Sequence, residues 1–449
     1  MTTPAAPGPE GRHLMGALSS FKRDSLRLIT ELQEGYGGIA RVRLGPYLVH
    51  QLTGPDFIKH VLQDNADNYR RGRFYQGFNL FMGRGMLTTD GAEWRARRDV
   101  SQPFFQRSWL HGASGVITSC VEELIQRWAG PAERGDEVEL VDDMMWLAMG
   151  VLSRMLFGVD LRDRYPELAP AVRFSLKAMI LTGEVSQMLP RWVPTRYRRE
   201  LTRYQAVLNG VMDDVIALHR AGGGDPDDLV SALLMATDSE TGRPWPDRQI
   251  RAELKTLFMA GHETTGCALA WTLYSVAQHT DVRRKLEAEL DSVLGDRVPT
   301  PADLPKLPYL RQVVDESLRL HPPIWVFPRD LAEDDVIGGY HVPAGTTLLI
   351  PPYAAHRNPD VWENPEAFDP ERFCPANRSP ARYTYLPFGG GPRRCVGYYM
   401  ALLEIQFAVA MLVRRYRMSL VPAQQVAPVG LVSLRPARGI RIKLTRIGP

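Results

Sequence analysis

The sequence predicts a mainly helical protein with small β-sheets, on three observations. Apolar residues recur at three- and four-residue spacing through long stretches of the middle of the chain, as helices with one buried face require. Strict alternation of apolar and polar residues is confined to short segments toward the two ends. The 449 residues are 44% hydrophobic and 23% charged, which suits a folded protein with a large core and excludes a disordered or fibrous chain.

The elements follow in order. The opening MTTPAAPGPEGRHLMGALSSFKRD holds no apolar run of signal-peptide length, and residues 1–20 are expected to form a flexible arm. Alternation in IARVRLGPYLVHQLTG (Ile39 to Gly54), broken at Gly45-Pro46, predicts a hairpin. Helical spacing covers Val116–Trp128, Met144–Phe157, Tyr204–His219, Leu229–Met235 and Ile250–Val276, the last inside a helix from about Asp247 to His279. The glycine run Gly222–Gly224 before DPDD predicts a surface loop between two helices. Strand signals return at Thr346–Ile350 and in GIRIKL, where Ile440, Ile442 and Leu444 share a face. No internal repeat or long linker divides the chain, so residues 1–449 are read as one domain: a large helical body with small sheets contributed by both ends. No window approaches the roughly 20 apolar residues that span a bilayer, so no transmembrane anchor is expected.

A net charge of +3 gives no basis for nucleic-acid binding. Only 7 of the 54 basic residues are lysine, an arginine bias that hints at a GC-rich bacterial genome. The four cysteines, Cys120, Cys267, Cys374 and Cys395, are too few and too scattered for a secreted disulfide framework and predict reduced thiols in a cytoplasm.

One of them sits in unusual company, FGGGPRRCVG (Phe388 to Gly397). Glycines 389–391 followed by Pro392 continue neither strand nor helix and make a tight loop whose backbone can approach another group closely. After Gly397, YYMALLEIQFAVAMLVRRY is a strong helix pattern, so Cys395 stands just before a helix N-terminus, where backbone N–H groups and the helix dipole favour thiolate. A thiolate there wants a metal or an electrophile. Zinc needs three or four ligands, and no Cys-x-x-Cys or His-x-x-x-His lies nearby. A catalytic nucleophile wants a neighbouring base, and the flanking residues are Arg394 and Val396. A single thiolate on haem iron needs no second protein ligand, and two arginines then have two propionates to meet.

FGGGPRRCVG is similar to the haem-ligand loop of the cytochromes P-450, Phe-x-x-Gly-x-Arg-x-Cys-x-Gly, through Phe388, Gly391, Arg393, Cys395 and Gly397. Three further segments stand in that family's order. ESLRLHPP resembles its Glu-x-x-Arg helix, with Glu316 and Arg319, and FDPERF supplies Arg372. The resemblance implies that these three form a buried structural network supporting the cysteine loop. AGHETT, Ala260 to Thr265, resembles the oxygen-binding groove of the family's long helix. Glycine, an acid and two threonines continue a helix poorly, and a Thr264 hydroxyl bonded back to the carbonyl four residues earlier would bend it. The resemblance makes Glu263 and Thr264 an acid and alcohol pair over the iron, with Ala260 against the haem and His262 pointing away. DGAEWRARRDVSQPFF matches the family's Trp-x-x-x-Arg helix, which implies Trp94 and Arg98 as haem contacts. Arg329, in VFPRD, takes the place of another propionate partner.

The implied fold is that of the family: a large helical domain with a small β-rich region around haem b. The implied activity is insertion of one atom of dioxygen into a C–H bond or double bond of a hydrophobic small molecule. Segments expected to face the substrate are Arg70–Leu87, the region from about Val172 to Tyr197, Leu257–Thr264, PIWVF and GLVS. Their lining is apolar and aromatic through Phe74, Phe78, Phe81, Met82, Leu257, Phe258, Trp325, Phe327 and Leu431. A terpenoid, fatty acid, steroid or polyketide suits it. Arg70, Arg71 and Arg73 are available to a substrate carboxylate, with a solvated loop as the plainer reading. Electrons would come from NAD(P)H through separate proteins, a ferredoxin and its reductase, with Arg394, Arg95 and Arg97 as a positive docking patch. The alternative is a haem-thiolate protein without monooxygenase turnover: a peroxide-driven enzyme, an isomerase or a ligand sensor. Such a protein would not need Glu263 and Thr264.

Overall fold

Gly45 closes the first strand pair. At φ +62°, a conformation that costs glycine nothing, it turns Ile39–Leu44 back onto Tyr47–Leu52 in antiparallel register from Ile39↔Leu52 to Leu44↔Tyr47. The computed structural model describes residues 3–9, 16–180, 195–238, 240–377 and 381–447. The hairpin forms one side of a five-stranded sheet. Tyr47–Leu52 runs parallel to Thr347–Ile350, which pairs antiparallel with Phe327–Leu331, and that strand with Tyr69–Arg70. A second sheet joins Glu137–Glu139, Arg441–Arg446 and Tyr416–Leu420. GIRIKL therefore feeds a central strand, and Ile440, Ile442 and Leu444 are buried together in the core.

The arm expected to be flexible is held where it is described. The Pro4 carbonyl accepts from the His341 N–H at 3.0 Å, the Pro7 carbonyl accepts from the Arg41 N–H at 2.6 Å, and Ala6 is buried. Proline-rich backbone is extended and still offers carbonyls to the edge of a sheet. Residues 1–2 and 10–15 of that arm lie outside the described residues.

All five helices expected from spacing form, most of them longer than their apolar cores: Ser114–Arg134, Leu140–Phe157, Arg196–Arg220, Leu229–Met235 and Asp247–Gln278. The last, 32 residues long, is the axis of the molecule and is buried along most of its length. It crosses Leu140–Phe157 at close range. A Cβ built on Gly261 would fall 2.0 Å from Leu152 Cδ1, and one on Gly266 would fall 2.6 Å from Met145 Sδ. The glycine in AGHETT thus admits a neighbouring side chain, and the helix assignment runs through the segment without a break. Tyr398–Arg415, entered through Gly397, packs beside it with its middle fully buried.

Candidate active site

A cavity of about 320 Å³ opens between the middle of the long helix and the glycine-rich loop. On one side stand Leu257, Ala260, Gly261, Glu263 and Thr264; on the other, Phe388, Arg393, Cys395, Val396 and Gly397. Ala260 is exposed and Gly261 and Thr264 are partly so, within a helix whose other central residues are buried. A gap in burial at i and i+4 marks the face that looks into the cavity. The Thr264 hydroxyl donates to the Ala260 carbonyl at 2.7 Å.

The loop opposite is shaped by contact. Gly391 has φ +63°, and a Cβ there would lie 1.6 Å from the Leu62 carbonyl oxygen. No other residue fits that crossing. The Cys395 N–H donates to the Phe388 carbonyl at 3.0 Å, closing the loop, and the helix Tyr398–Arg415 begins after it as expected. The thiol itself faces the cavity. Burial pushes its pKa up, opposed by the Gly397 N–H and by the charges of Arg98 and Arg394. The helix terminus therefore does not secure a thiolate alone, as the sequence had led us to expect. A metal bound there would remove the thiol's proton outright.

At one end of the cavity the charges do not balance. Arg71, Arg329 and Arg393 meet there, with Trp94 and Arg98 beside them. Among the described residues, Asp90 is the one carboxylate hydrogen-bonded to the group, accepting from the Arg71 N–H at 2.9 Å and from the Arg393 guanidinium. Arg71 Nε and Arg393 Nη1 are buried without a partner among the described residues. Burial holds Arg329 down to about 9 and Arg393 down to about 10, and repulsion from Arg71 adds to both. Arg329 Nη1 donates only 2.8 Å away to the carbonyl of its own neighbour, Pro328. Arg393 lies over the Trp94 ring at 4.2 Å. Such a cluster suits an anionic ligand, and the two propionates of haem would supply what is lacking, with the Cys395 thiol on the wall of the same cavity. The residues present fit that group.

Beneath the loop, buried charges balance fully. Arg319 and Glu316 are both 0% exposed and form a two-pronged ion pair at 2.7 and 2.8 Å. Glu316 also accepts from Arg372 Nε at 3.0 Å and the Asp369 N–H at 2.8 Å. The rest of the Arg319 guanidinium donates to the carbonyls of His356, Pro365 and Ala367. His356, which the sequence gave no reason to select, ties this knot to the loop. Its Nδ1–H donates to the Arg319 carbonyl at 3.1 Å, and its Nε2 accepts from the Leu386 N–H at 2.9 Å. Burial holds its pKa down to about 3, in keeping with a neutral ring.

Of the apolar residues expected to line the cavity, Phe78, Met82, Leu257 and Phe327 do so. The others are turned elsewhere. Phe258 is one residue, hence about 100° of helix, past Leu257; it stacks on the buried His262 at 4.6 Å, on the far side of the helix. Phe81 packs on Phe174 at 6.2 Å. Phe74 is half-buried in a short turn whose neighbour Tyr75 takes the cavity position. The Trp325 indole N–H donates to the Leu431 carbonyl at 2.6 Å, so both sit behind the wall that Val432 and Ser433 form. Residues 181–194 of the region expected over the substrate lie outside the described residues. Sequence reasoning offered Arg71 to a substrate carboxylate rather than to this cluster, and it missed Tyr75 and Asp90; in an arginine-rich loop nothing separates a buried guanidinium from a solvated one. It also misplaced Arg97. That side chain is 4% exposed and paired with Glu253 at 2.7 Å and Glu93 at 2.8 Å, because two residues on from the exposed Arg95 is the opposite face of the helix Gly91–Ser101.

The family model for cytochrome P450 matches residues 6–443. This chain is a member of the cytochrome P450 family. It is 31% identical over 436 residues to cyclooctatin synthase of Streptomyces melanosporofaciens, covering 95% of this chain and 92% of that one. It is 29% identical to pentalenene oxygenase of Streptomyces avermitilis, over 99% and 98%. Among solved structures, the cytochrome P450DA heme domain superposes with a TM-score of 0.88 at 26% identity, covering 100% and 99%. The cytochrome P450 described here is accordingly a haem-dependent monooxygenase of hydrophobic small molecules that takes its electrons from redox partners. Among its described residues no helix is long and apolar enough to cross a membrane.

Proposed function

We propose that this cytochrome P450 oxygenates a terpenoid hydrocarbon, with Cys395 as the axial iron ligand and with electrons drawn from NAD(P)H through a ferredoxin reductase and a ferredoxin. The observation that carries the reading is the cavity: a thiol on one wall, a threonine-bearing helix groove on the other, and unmatched arginines at one end. Haem bound through a thiolate, as in P450s generally, favours cleavage of dioxygen's O–O bond, so that one atom enters a C–H bond or double bond and the other leaves as water. The protein's own residues do the rest. Arg329, Arg393, Arg71 and Arg98 neutralise the propionates, with Trp94, Ala260, Phe388 and Gly397 packing the ring. Thr264 and Glu263 pass protons into the cavity. Phe78, Met82, Leu257 and Phe327 hold an apolar substrate and exclude water.

Terpenoids are favoured over the other hydrophobic classes for two reasons. Pentalenene, a terpene hydrocarbon, gives its name to a relative that aligns over nearly the full length. The described lining of the cavity is also mostly apolar away from the arginine end, through Phe78, Met82, Leu257 and Phe327. The ferredoxin would dock over Arg394, Arg95 and Arg107, all exposed on the thiol side, with Arg394 and Arg107 braced on Tyr398 and Tyr399. Four unpaired cysteines suit a reducing cytoplasm.

The test begins with a spectrum. Reduced protein under carbon monoxide should show the long-wavelength Soret band of a thiolate complex, lost in Cys395→Ala and kept in Cys374→Ala; the reverse pattern names the wrong cysteine. Turnover of pentalenene and a panel of terpene, fatty-acid and steroid substrates with a surrogate ferredoxin, its reductase and NADPH should give oxygenated terpenes. Products from the fatty acids or steroids alone would reassign the substrate class. Thr264→Ala should bind substrate as the parent does yet divert electrons severalfold toward hydrogen peroxide; unchanged coupling would remove Thr264 from proton delivery.

A further inference from the structure

Glu263 is held by side chains of a C-terminal turn that itself borders the cavity. Its Oε1 accepts from the Ser433 hydroxyl at 2.6 Å and stands 3.3 Å from Arg435 Nε, with the Cys267 thiol at 4.0 Å. Its Oε2 makes no hydrogen bond among the described residues, while the side chain lines the cavity. One oxygen is anchored and the other is left to the interior.

The anchors come from the C-terminal hairpin of Pro428–Gly430 and Leu434–Pro436. That turn is fixed in three places: the Trp325 indole donates to the Leu431 carbonyl at 2.6 Å, the Trp271 indole to the Leu434 carbonyl at 3.0 Å, and the Leu434 N–H to the Pro323 carbonyl at 2.8 Å. Ser433 is fully buried, and Val432 and Ser433 also line the cavity. Arg435 reaches from Glu263 toward Asp142 and Tyr165 near the surface. A guanidinium keeps its proton and cannot relay one. Its contribution is to hold the carboxylate in place, with Oε1 anchored and Oε2 turned to the cavity.

We propose that Ser433 and Arg435 are positioning residues for Glu263: they bind one carboxylate oxygen so that the other remains free to exchange a proton with the cavity, and they do so from the same turn that meets the substrate. The inference rests on the reading of Glu263 as a proton relay.

The holoenzyme tests it in two ways. In thermal unfolding, Glu263→Gln, Arg435→Gln and the double variant should give non-additive midpoint shifts, the double no worse than the poorer single; strict additivity would mean that the pair does not interact. In turnover of the best-converted terpene with a surrogate ferredoxin, its reductase and NADPH, Arg435→Gln and Ser433→Ala should cut product per NADPH severalfold and raise hydrogen peroxide. The KM should stay within twofold, and Arg435→Lys should restore most of the coupling. Uncoupling by Glu263→Gln with parental coupling in Arg435→Gln and Ser433→Ala would overturn the positioning role alone. Parental coupling in Glu263→Gln itself would overturn the relay reading and this inference with it.

Discussion

Two groups of buried arginines lie on either side of the cysteine loop, and they are built on opposite plans. Arg319 and Arg372, beneath the loop, spend their donors on Glu316 and on a ring of carbonyls. Of Arg71, Arg329 and Arg393, above it, only the Arg393 guanidinium meets a carboxylate, Asp90, and among the described residues Arg71 Nε and Arg393 Nη1 are buried without partners. Burying an unmatched charge is costly unless something arrives to meet it. A satisfied cluster is therefore part of the frame, and an unsatisfied one is half of a binding site whose other half comes with the ligand.

The sharpest way to break that contrast is to remove one arginine from each group. Arg319→Met strands Glu316 as a lone buried carboxylate and should destabilise the protein by about 3–5 kcal/mol in urea titration, with or without haem. Arg329→Met should do the reverse to the haem-free protein, leaving its stability equal or higher, while haem is lost about ten- to hundredfold faster, as expected for one charge-assisted hydrogen bond. The sign follows from the depressed pKa. In the haem-free parent the cost of a cationic Arg329 is fully present below pH 9 and fades as the pH rises beyond it. If both variants lost the same stability in the haem-free state, the two groups would not differ as described.

Acid sharpens the contrast from the other side. His356 is neutral in the knot at about pKa 3, against 6.5 when unfolded. The unfolded chain alone binds its proton between those values, so stability falls as pH drops below 6.5. Between pH 7 and pH 5 this one residue should cost about 2 kcal/mol, and His356→Gln should show a correspondingly flatter stability profile over that range. A profile as steep as the parent's would mean that other groups carry the acid sensitivity. The smallest effect concerns a charge that serves neither group. Arg95 is exposed, and Arg95→Glu should slow reduction by ferredoxin severalfold at low salt and hardly at all at high salt, measured by stopped flow. Equal rates at low salt would place docking elsewhere.

Much of this was legible in the sequence because it repeats locally. Helical spacing located the long helices, and alternation around Gly45 located the first hairpin. The residues of FGGGPRRCVG and AGHETT that were picked out for the cofactor do meet across one cavity. What could not be read depends on rotation or on distant partners. Leu257 and Phe258 are equally apolar, and only the helix phase decides which faces inward. Arg95 and Arg97 look alike until Glu253, more than 150 positions away, claims one of them. The strands Tyr69–Arg70 and Glu137–Glu139 are too short to alternate and exist because a long-range partner is there to pair with.

That last dependence has a consequence for the order of assembly. Glu137–Glu139 pairs with Arg441–Arg446, and the cavity draws its walls from positions as far apart as 71, 260, 329, 395 and 432. On a ribosome adding about 5–20 residues per second, the helical middle of the chain is made well before the strand and hairpin that close it. Haem can find a complete pocket only after the C-terminal hairpin has emerged. Until then the long helix and the arginines at 71, 329 and 393 lack the wall that Val432 and Ser433 supply, and the open pocket faces the cell's chaperones and proteases.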